Sequence, residues 1–274
     1  VVRPHLRIGE DRAWDHLQGF LQDRVEQYAA TRDVPAEPAT SGLSEPLAYG
    51  EISPRQIWHA SLMHSDSRSA EVFRKELVWR EFAYHLLYHF PQMQQRCWRE
   101  DWEGFPWLTA PDHPHLRAWQ QGRTGVEIVD AGQRELFVTG RMHNRVRMIT
   151  ASYLTKHLML DWRLGQRWLA DCLVDWDPAS NAMGWQWVAG CGPDASPYFR
   201  VFNPDTQAQK FDAKGQYRDR WLAERNAVSD CANCFFDAIP QRWAQPDGAP
   251  YPDPIVGLKQ GRDRALAAYE TRGF

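Results

Sequence analysis

Apolar side chains recur every three to four residues through most of the chain, which indicates α-helices. Between Ser69 and Phe90 they fall on one helical face, and Pro91 ends the pattern. The apolar positions of this stretch are Val72, Phe73, Leu77, Val78, Phe82, Leu86 and Leu87. The strict alternation of apolar and polar residues that is typical of strands is almost absent. The chain is therefore predicted to be all-α.

Residues that start or stop helices mark two more elements. Thr124 and Glu127 have the spacing of a capping box, and Gly140 can end the helix that follows. Asp177 followed by Pro178 is a favourable N-cap and first position for another helix. We expect helices to begin after residues 124 and 177.

The remaining stretches are helices or loops. The apolar period continues over residues 141–162 and again over 165–174, which predicts two more helices. Residues 31–54 combine Pro, Ser, Thr and Gly, and residues 245–257 are rich in Pro, so both are predicted to be loops. No internal repeat is visible, and a single helical domain over residues 1–274 is expected.

The composition is that of a soluble globular protein, with 43% hydrophobic and 24% charged residues. The net charge of −3 means that nucleic acid would bind only to a local basic surface. No apolar run approaches the roughly 20 residues that span a bilayer, and the charged start does not read as a signal peptide. We expect a cytoplasmic protein without membrane contact. Because the first residue is Val1 rather than Met, we interpret the sequence as a piece of a longer chain, with residues 1–20 as the end of a linker from a missing N-terminal domain.

The five cysteines form no even disulfide framework, which favours a reducing compartment. Cys231 and Cys234 are spaced C-x-x-C. A structural zinc site needs about four ligands, and no second pair lies at a suitable spacing. We predict incidental thiols and no bound metal.

Basic and amide side chains lie close together on the helix predicted after residue 140. Arg141, Asn144, Arg145 and Met148 have helical spacing, and Arg147 follows Asn144 by three residues. Such a face can bind phosphates through bidentate guanidinium contacts, or it can be an ordinary solvated basic face. From these residues alone both interpretations stay open.

Two carboxylates and two large rings follow. Asp175 and Asp177 are candidates for acid–base partners, helix caps or ion-pair partners of the arginines. The ion pairs are favoured, because an unpaired buried carboxylate is costly. Trp185 and Trp187, two of the 14 tryptophans, are either core residues or walls for a flat ligand.

Two earlier segments also offer polar groups. Glu76 and Arg80 share a helical face with Trp79, either as a surface ion pair or as a carboxylate and a ring beside a cavity. Residues 40–44 carry hydroxyls and a glycine that can cradle a phosphate or form an ordinary turn. No Ser-His-Asp spacing, P-loop or Rossmann fingerprint accompanies them.

Six stretches of the chain follow the order of a known family and cover nearly its whole length. They are "TSGLSEPLAYGEISPRQ", "ELVWREFAYHLLYHFP", "LRAWQQGRTGVEIVDAGQREL", "MHNRVRMITASYLTKHLMLDWRLG", "NAMGWQWVAGCGPDASPYFRVFNPDTQAQKFD" and "YPDPIV". They resemble the flavin-binding helical domain of the DNA photolyase/cryptochrome family, above all its microbial cyclobutane-pyrimidine-dimer photolyases. The resemblance implies an all-α FAD-binding domain without the N-terminal α/β antenna domain of the family.

By that resemblance the cofactor is FAD, bound noncovalently in a U shape. Arg147 and Asp175 would pair beside the flavin ring, and Asn181 would face its N5 atom. Photoreceptor relatives often carry another residue, such as Asp or Cys, at that last position, so Asn favours repair. The residues implied to hold the cofactor are Tyr28, Thr40, Ser41, Gly42, Leu43, Ser44, Arg80, Asn144, Arg147, Asp175, Asp177 and Asn181.

The resemblance also implies a pocket for UV-damaged DNA beside the flavin. Its residues would be Glu76, Trp79, Asn144, Arg145, Met148 and Trp187. A pyrimidine dimer would flip out of the duplex into this pocket and stack on aromatic walls. Blue light would excite reduced flavin, an electron would pass to the dimer, and the cyclobutane ring would split with support from Glu76. The chain would then be a photolyase, a carbon–carbon lyase that acts as a monomer.

Three tryptophans match the electron-relay chain of the family. Trp185 would lie next to the flavin, Trp162 in the middle and Trp107 at the surface end. Such a chain re-reduces oxidised flavin under light. The alternative for all three is a purely structural role in the core.

One position departs from the family, which usually has Trp where this chain has Arg141. We hypothesise that this arginine helps to stabilise reduced flavin. The competing function is a cryptochrome-like photoreceptor without repair activity, and the intact set of Glu76, Trp79 and Trp187 favours repair. A (6-4) photolyase normally has a histidine pair at the lesion pocket, and no such pair can be placed in this sequence. A plain helical scaffold would leave the set of Arg, Asp, Asn and Trp residues unexplained.

Overall fold

The computed structural model describes residues 1–6, 8–194, 199–226, 228–245 and 248–273. Among these residues no strand occurs, and one isolated bridge pairs Leu108 with Leu160. The predicted all-α class is confirmed. No helix in these ranges is long and apolar enough to cross a membrane.

The α-helices of the described chain are α1 (Glu10–Asp23), α2 (Tyr28–Thr31), α3 (Ser44–Tyr49), α4 (Pro54–His64), α5 (Arg68–His89), α6 (Pro114–Gln120), α7 (Glu127–Thr139), α8 (Asn144–Ser152), α9 (Trp162–Cys172), α10 (Pro178–Ala189), α11 (Pro204–Phe211), α12 (Gln216–Trp221), α13 (Asp230–Ala238) and α14 (Leu258–Glu270). A π-helical turn over Tyr153–His157 continues α8. Short 3₁₀ turns cover Arg3–His5, Val25–Gln27, Pro91–Gln94, Glu100–Gly104 and Gln241–Trp243.

Local capping signals placed several helix ends correctly. Helix α5 ends just before Pro91 as predicted, and its start, for which no cap was predicted, is capped by the Ser67 hydroxyl, which accepts from the Ala70 N–H at 3.1 Å. Gly140 ends α7 in the left-handed conformation, with φ of 71°. The Asp177 carboxylate accepts from the Ser180 N–H at 2.6 Å and caps α10.

The predicted capping box of α7 is wrong. The hydroxyl of Thr124 donates to the buried Asp130 carboxylate at 2.7 Å, whereas Glu127 pairs with Arg218 and Arg225. Ion pairs to residues far along the chain have replaced the local cap, and α7 starts at Glu127 after an N-cap residue, Val126, that makes no side-chain cap.

The helix predicted over residues 141–162 is shorter, because α8 and its π-helical turn cover only residues 144–157. His143 caps α8 by accepting from the Arg145 N–H at 3.2 Å, so the helix starts later than predicted. After the π-helical turn the chain breaks at Met159, which has a positive φ of 54°. Asp161 then accepts from the Arg163 N–H at 2.7 Å and starts α9 three residues earlier than predicted.

The predicted loops are partly correct. Residues 31–54 contain the short helix α3 (Ser44–Tyr49), which Gly50 ends in the left-handed conformation. The described residues between 245 and 257 contain no helix or strand, as predicted.

Two large hydrophobic cores organise the described residues, beside a small third cluster of Leu86, Met93 and Ala182. The first core joins α1, α4 and the start of α5, with Leu17, Phe20, Ile57 and Phe73 buried. Residues 10–20, which fell within the expected linker, therefore lie in a packed helix.

The second, larger core joins α6 to α14. Its centre is formed by Trp119, Val129, Tyr153 and Trp162. The functional cavity lies where the two cores meet.

Candidate functional site

A cavity of about 360 Å³ separates the two cores, a size typical of small-molecule sites. The first core contributes apolar wall from α2, α5 and the loop before α3, and the second from α8, α9 and α10. The buried apolar residues that line the cavity are Tyr28, Leu43, Phe73 and Leu77 from the first core and Ala151, Leu169 and Trp185 from the second. Charged and amide groups lie between these walls, so the cavity suits a flat ligand with polar edges.

One wall carries an ion pair between α8 and the loop before α10. Arg147 Nη2 donates to both carboxylate oxygens of Asp175, at 2.9 and 2.8 Å, and Arg147 Nε donates to the Met142 carbonyl at 2.7 Å. Burial disfavours the charged Asp175, but Arg147 outweighs burial and lowers the pKa of this carboxyl. The structure brings these residues together in the way that the ion-pair interpretation expects.

The first turn of α10 presents an amide beside this pair. Asn181 Nδ2 donates to the Asp177 carbonyl at 3.0 Å, which holds the amide in the cavity wall. Tyr84 donates its hydroxyl to the Asp177 carboxylate, and burial together with this bond raises the pKa of Tyr84 to about 12. Asp177 therefore combines capping with a place in the wall.

The loop before α3 supplies part of the predicted phosphate cradle. Ser41 and Ser44 line the cavity. Thr40 and Gly42 are not among the described residues that line the cavity. The Thr40 carbonyl accepts a hydrogen bond from Arg24 Nη1. Gly42 lies in a turn beside His16, with φ of 67°.

Two other predicted cofactor residues complete this side of the cavity. Arg80 lies in the wall with its guanidinium 4.6 Å from the centre of the Tyr84 ring. Tyr28 is buried, and burial raises the pKa of its hydroxyl to about 12. The structure therefore gathers ten of the twelve predicted cofactor residues around one cavity.

The predicted lesion residues divide into two groups. Glu76, Asn144 and Met148 line the cavity. Trp79 is 46% exposed on α5, one turn beyond Glu76. The half-buried Trp187 lies under Arg200, whose guanidinium is 5.6 Å from the ring centre.

The sixth predicted lesion residue, Arg145, leads to a pair of residues that the sequence analysis missed. Arg145 Nη2 lies 2.7 Å from Asp33 Oδ2, and the preceding Arg32 bonds the Glu76 carboxylate. The spacing from Tyr28 to Arg32 was a usable signal, because residues four apart face each other on a helix. The Arg32 guanidinium lies 5.3 Å from the Tyr28 ring centre.

The three tryptophans of the predicted relay all belong to the second core. Trp185 lines the cavity, and Trp162 is completely buried. Trp107 was predicted to be the surface end of the relay, but it is only 8% exposed. Trp102 and Phe105 pack against it, at 5.9 and 4.7 Å between ring centres. Its indole N–H donates to the Thr155 carbonyl at 3.1 Å.

Arg141, the departure from the family pattern, forms an ion pair with the buried Glu45 of α3. It is not among the described residues that line the cavity. Its charge is therefore neutralised by the Glu45 carboxylate, and the suggested role in stabilising reduced flavin stays a hypothesis.

The cysteines do not belong to this site. All five are free, and Cys231 and Cys234 are exposed. Among the described residues no group of three or more His, Cys, Asp or Glu side chains is arranged to hold a metal ion.

Comparison with known proteins agrees with this geometry. Residues 73–271 match the family described as the FAD binding domain of DNA photolyase. This chain belongs to that family. A deoxyribodipyrimidine photo-lyase of Agrobacterium fabrum is 49% identical over 269 residues, which cover 95% of this chain and 56% of that relative. The chain thus spans a little over half the length of this curated photolyase.

Solved structures show the same fold. A bacterial class III photolyase from Agrobacterium tumefaciens is 48% identical with a TM-score of 0.83, over 96% of this chain and 55% of that one. A Synechocystis cryptochrome is 31% identical with a TM-score of 0.81, over 96% of this chain and 56% of that one. The helical photolyase/cryptochrome fold expected from the sequence is confirmed.

The cavity of this photolyase-family domain fits its cofactor, FAD. The apolar walls around Trp185 suit a flat ring system, and Arg147 with Asn181 offers charge and amide groups to polar ring edges. The hydroxyls of Ser41 and Ser44 and the guanidinium of Arg80 suit a diphosphate.

Proposed function

We propose that this domain performs light-driven repair of UV-damaged DNA by splitting cyclobutane pyrimidine dimers. The main support for this proposal is that one cavity is lined by residues of both predicted sets. Its lining includes the predicted lesion residues Glu76, Asn144 and Met148 and the predicted flavin residues Arg147, Asp175 and Asn181. One space thus combines a wall for the flavin ring with polar groups for a second ligand. When bound, reduced FAD supplies an electron to the dimer on blue-light excitation and takes it back after the ring has opened.

We assign the walls of the cavity as follows. The Arg147–Asp175 pair and Asn181 hold the ring of the cofactor in one orientation, which positions it toward the mouth of the cavity. Tyr28, the loop over residues 40–44 and Arg80 hold its phosphates and linker. Trp185, Trp162 and Trp107 carry electrons to it through the second core.

The lesion is bound by the residues at and near the mouth. The Glu76 carboxylate hydrogen-bonds the polar edge of the flipped dimer, and Asn144 and Met148 contact its bases. Trp79 and Trp187 stack on them, which is worth about 1–3 kcal/mol per base. Arginines near the mouth, above all Arg145, bind the backbone phosphates of the DNA. The affinity for DNA therefore falls as the salt concentration rises.

The first test is repair. The FAD-loaded protein is reduced anaerobically, mixed with a thymine-dimer oligonucleotide and exposed to blue light while the thymine absorbance is followed. Recovery of that absorbance in the light and not in the dark is expected. Glu76→Gln is expected to slow repair on the order of 10-fold or more, because the amide no longer holds the polar edge of the dimer in the geometry that the carboxylate sets.

A matched variant on the same helix separates chemistry from folding. Glu71→Gln changes an exposed α5 carboxylate that pairs only weakly with Lys75 at 2.7 Å. It is expected to repair at the wild-type rate. Equal loss in both variants would show that the Glu76 effect is not specific to the site.

The competing function is a cryptochrome-like photoreceptor, supported by the structural likeness to the Synechocystis cryptochrome. Bound, photoreducible flavin without repair of the oligonucleotide would favour that function. In either case we propose that residues 1–274 act as one monomeric cytoplasmic FAD-binding unit, which sedimentation of the loaded protein tests.

A further inference from the structure

Two consecutive residues at the end of α2 hold both charged groups assigned to the lesion. Arg32 Nη1 bonds Glu76 Oε1, and Asp33 Oδ2 lies 2.7 Å from Arg145 Nη2. The four side chains are between 17% and 36% exposed, so both pairs are reachable from solvent. The dipeptide therefore neutralises the charges at the mouth of the cavity before DNA arrives.

The surroundings of Arg145 show how its charge is masked. One face of its guanidinium lies on the Phe211 ring, 4.4 Å from the ring centre. Its Nε is buried and has no hydrogen-bond partner among the described residues. Asp33 is the carboxylate that this guanidinium contacts, so the state of this pair decides whether Arg145 offers its charge to an incoming anion.

The pair is weak enough to be exchanged. Partly exposed ion pairs contribute little to stability, because solvent screens them. A phosphate that reaches Arg145 can accept two parallel hydrogen bonds from the guanidinium and is favoured over a single carboxylate contact. Asp33, one-third exposed, can then turn into water.

We propose that Asp33 is a specificity-determining residue that hides Arg145 from undamaged DNA and yields it to the backbone phosphate of a flipped dimer. This inference rests on the proposed repair function. An undamaged duplex stays outside the cavity, and its phosphates meet a neutral ion pair. A dimer that enters beside Glu76 and Asn144 brings its own phosphate to Arg145, and the phosphate replaces Asp33.

Salt dependence of binding tests this exchange. Asp33→Asn and wild-type protein, both loaded with FAD, are titrated in the dark with a duplex and with the same duplex carrying one thymine dimer. In the variant Arg145 is free to contact any phosphate. We expect several-fold tighter binding of the undamaged duplex at low salt and a log K against log[salt] slope steeper by about 0.9, the value of one added phosphate contact.

The damaged duplex is expected to behave differently. Its complex already contains the Arg145–phosphate contact in the wild type, so its salt slope stays the same in Asp33→Asn. The preference for damaged over undamaged DNA therefore falls several-fold. Asp33→Glu, which restores the carboxylate, is expected to restore the wild-type slope.

Two controls separate masking from net charge. Asp263→Asn makes the same charge change on α14, where Asp263 pairs with Lys259 at 2.7 Å, and is expected to leave the slope of the undamaged duplex unchanged. In an Arg145→Gln background, Asp33→Asn is expected to have no further effect, since contacting residues are non-additive.

The outcomes distinguish the two levels of inference. An unchanged slope for the undamaged duplex in Asp33→Asn, or an equal change in Asp263→Asn, overturns the role of Asp33. A wild-type protein that binds flavin but does not prefer damaged DNA overturns the proposed function instead. The flavin absorption spectrum of each variant verifies that the cavity is folded.

Discussion

The Asp175 side chain is only 5% exposed, and its two carboxylate oxygens accept hydrogen bonds from Arg147 at 2.9 and 2.8 Å. Asp175→Asn removes the negative charge and leaves the guanidinium without its partner. We expect the free energy of unfolding to fall by about 3 kcal/mol, as for other buried pairs that lose one partner. Urea denaturation of the FAD-free protein measures this loss.

The same pair gives stability a definite pH dependence. Because Arg147 lowers the pKa of Asp175, the stabilisation is complete above the ordinary carboxyl pKa and is lost as pH falls through the lowered value.

The matched control for Asp175→Asn is Asp171→Asn, on the exposed side of α9. Its free energy of unfolding is expected to change by no more than about 0.5 kcal/mol. A comparable loss at Asp171 would contradict the assignment to the buried pair.

Glu135 titrates in the opposite sense. Burial raises the pKa of Glu135 to about 7, although the Tyr217 hydroxyl donates to it at 2.5 Å. The folded state keeps the proton longer than the unfolded state, so this contribution is complete below the ordinary pKa and is lost as pH rises through about 7. Between about pH 5 and pH 8 the wild type is expected to lose stability relative to Glu135→Gln, whose side chain is always neutral. Urea denaturation of both proteins at several pH values measures this. A difference in the free energy of unfolding between wild type and Glu135→Gln that stays constant over this pH range would contradict the prediction.

At the scale of elements, α9 and α10 meet at a glycine. A Cβ at Gly165 would overlap the Trp185 ring and lie 2.6 Å from Leu154 Cδ2. Alanine in a helix interior usually stabilises by about 0.5–1 kcal/mol relative to glycine. Here we expect Gly165→Ala to destabilise the protein and to displace Trp185 from the cavity wall, seen as weaker FAD binding and altered flavin fluorescence.

The control for this contact is Gly19 in α1. No described side chain or other element lies within 4 Å of a Cβ added there. Gly19→Ala is expected to show the ordinary gain of about 0.5–1 kcal/mol and unchanged FAD affinity. Stabilisation by both substitutions would mean that α9 and α10 do not pack closely at residue 165.

At the scale of the whole molecule, the cavity joins two cores. Tyr28, Leu43 and Phe73 come from the first core, and Ala151 and Trp185 from the second. A ligand between them binds the assembled arrangement. Free FAD at 100 times its dissociation constant is therefore expected to add about 2.7 kcal/mol to the free energy of unfolding.

Hydrogen exchange measures where that stability acts. Removal of FAD is expected to raise exchange in α2, α3 and the loop between them, which form one side of the cavity. Helix α14, with no residue among the described lining of the cavity, is the internal reference. A uniform rise over both regions would contradict a cofactor that joins the two cores at this cavity.

Much of the helical framework was readable from local signals. The apolar period over residues 69–90, the Asp177 cap and the Gly140 stop each act within about one helical turn, so they placed α5, α10 and the end of α7. The resemblance to the photolyase family supplied the cofactor and most of the cavity residues. The break at Met159 was missed, because a positive φ at a non-glycine residue has no strong local signature.

The chemistry-bearing residues and most helices thus follow from the amino-acid sequence, since periodicity, caps and family motifs are local or linear properties. The partners of those residues follow from the packing of helices. Arg32 meets Glu76 across 44 residues, and Asp33 meets Arg145 across 112. Trp107 is likewise buried by neighbours rather than placed at the surface. Ion pairing and burial depend on which helix faces come together, and that arrangement is settled by the two cores rather than by any short stretch of the chain.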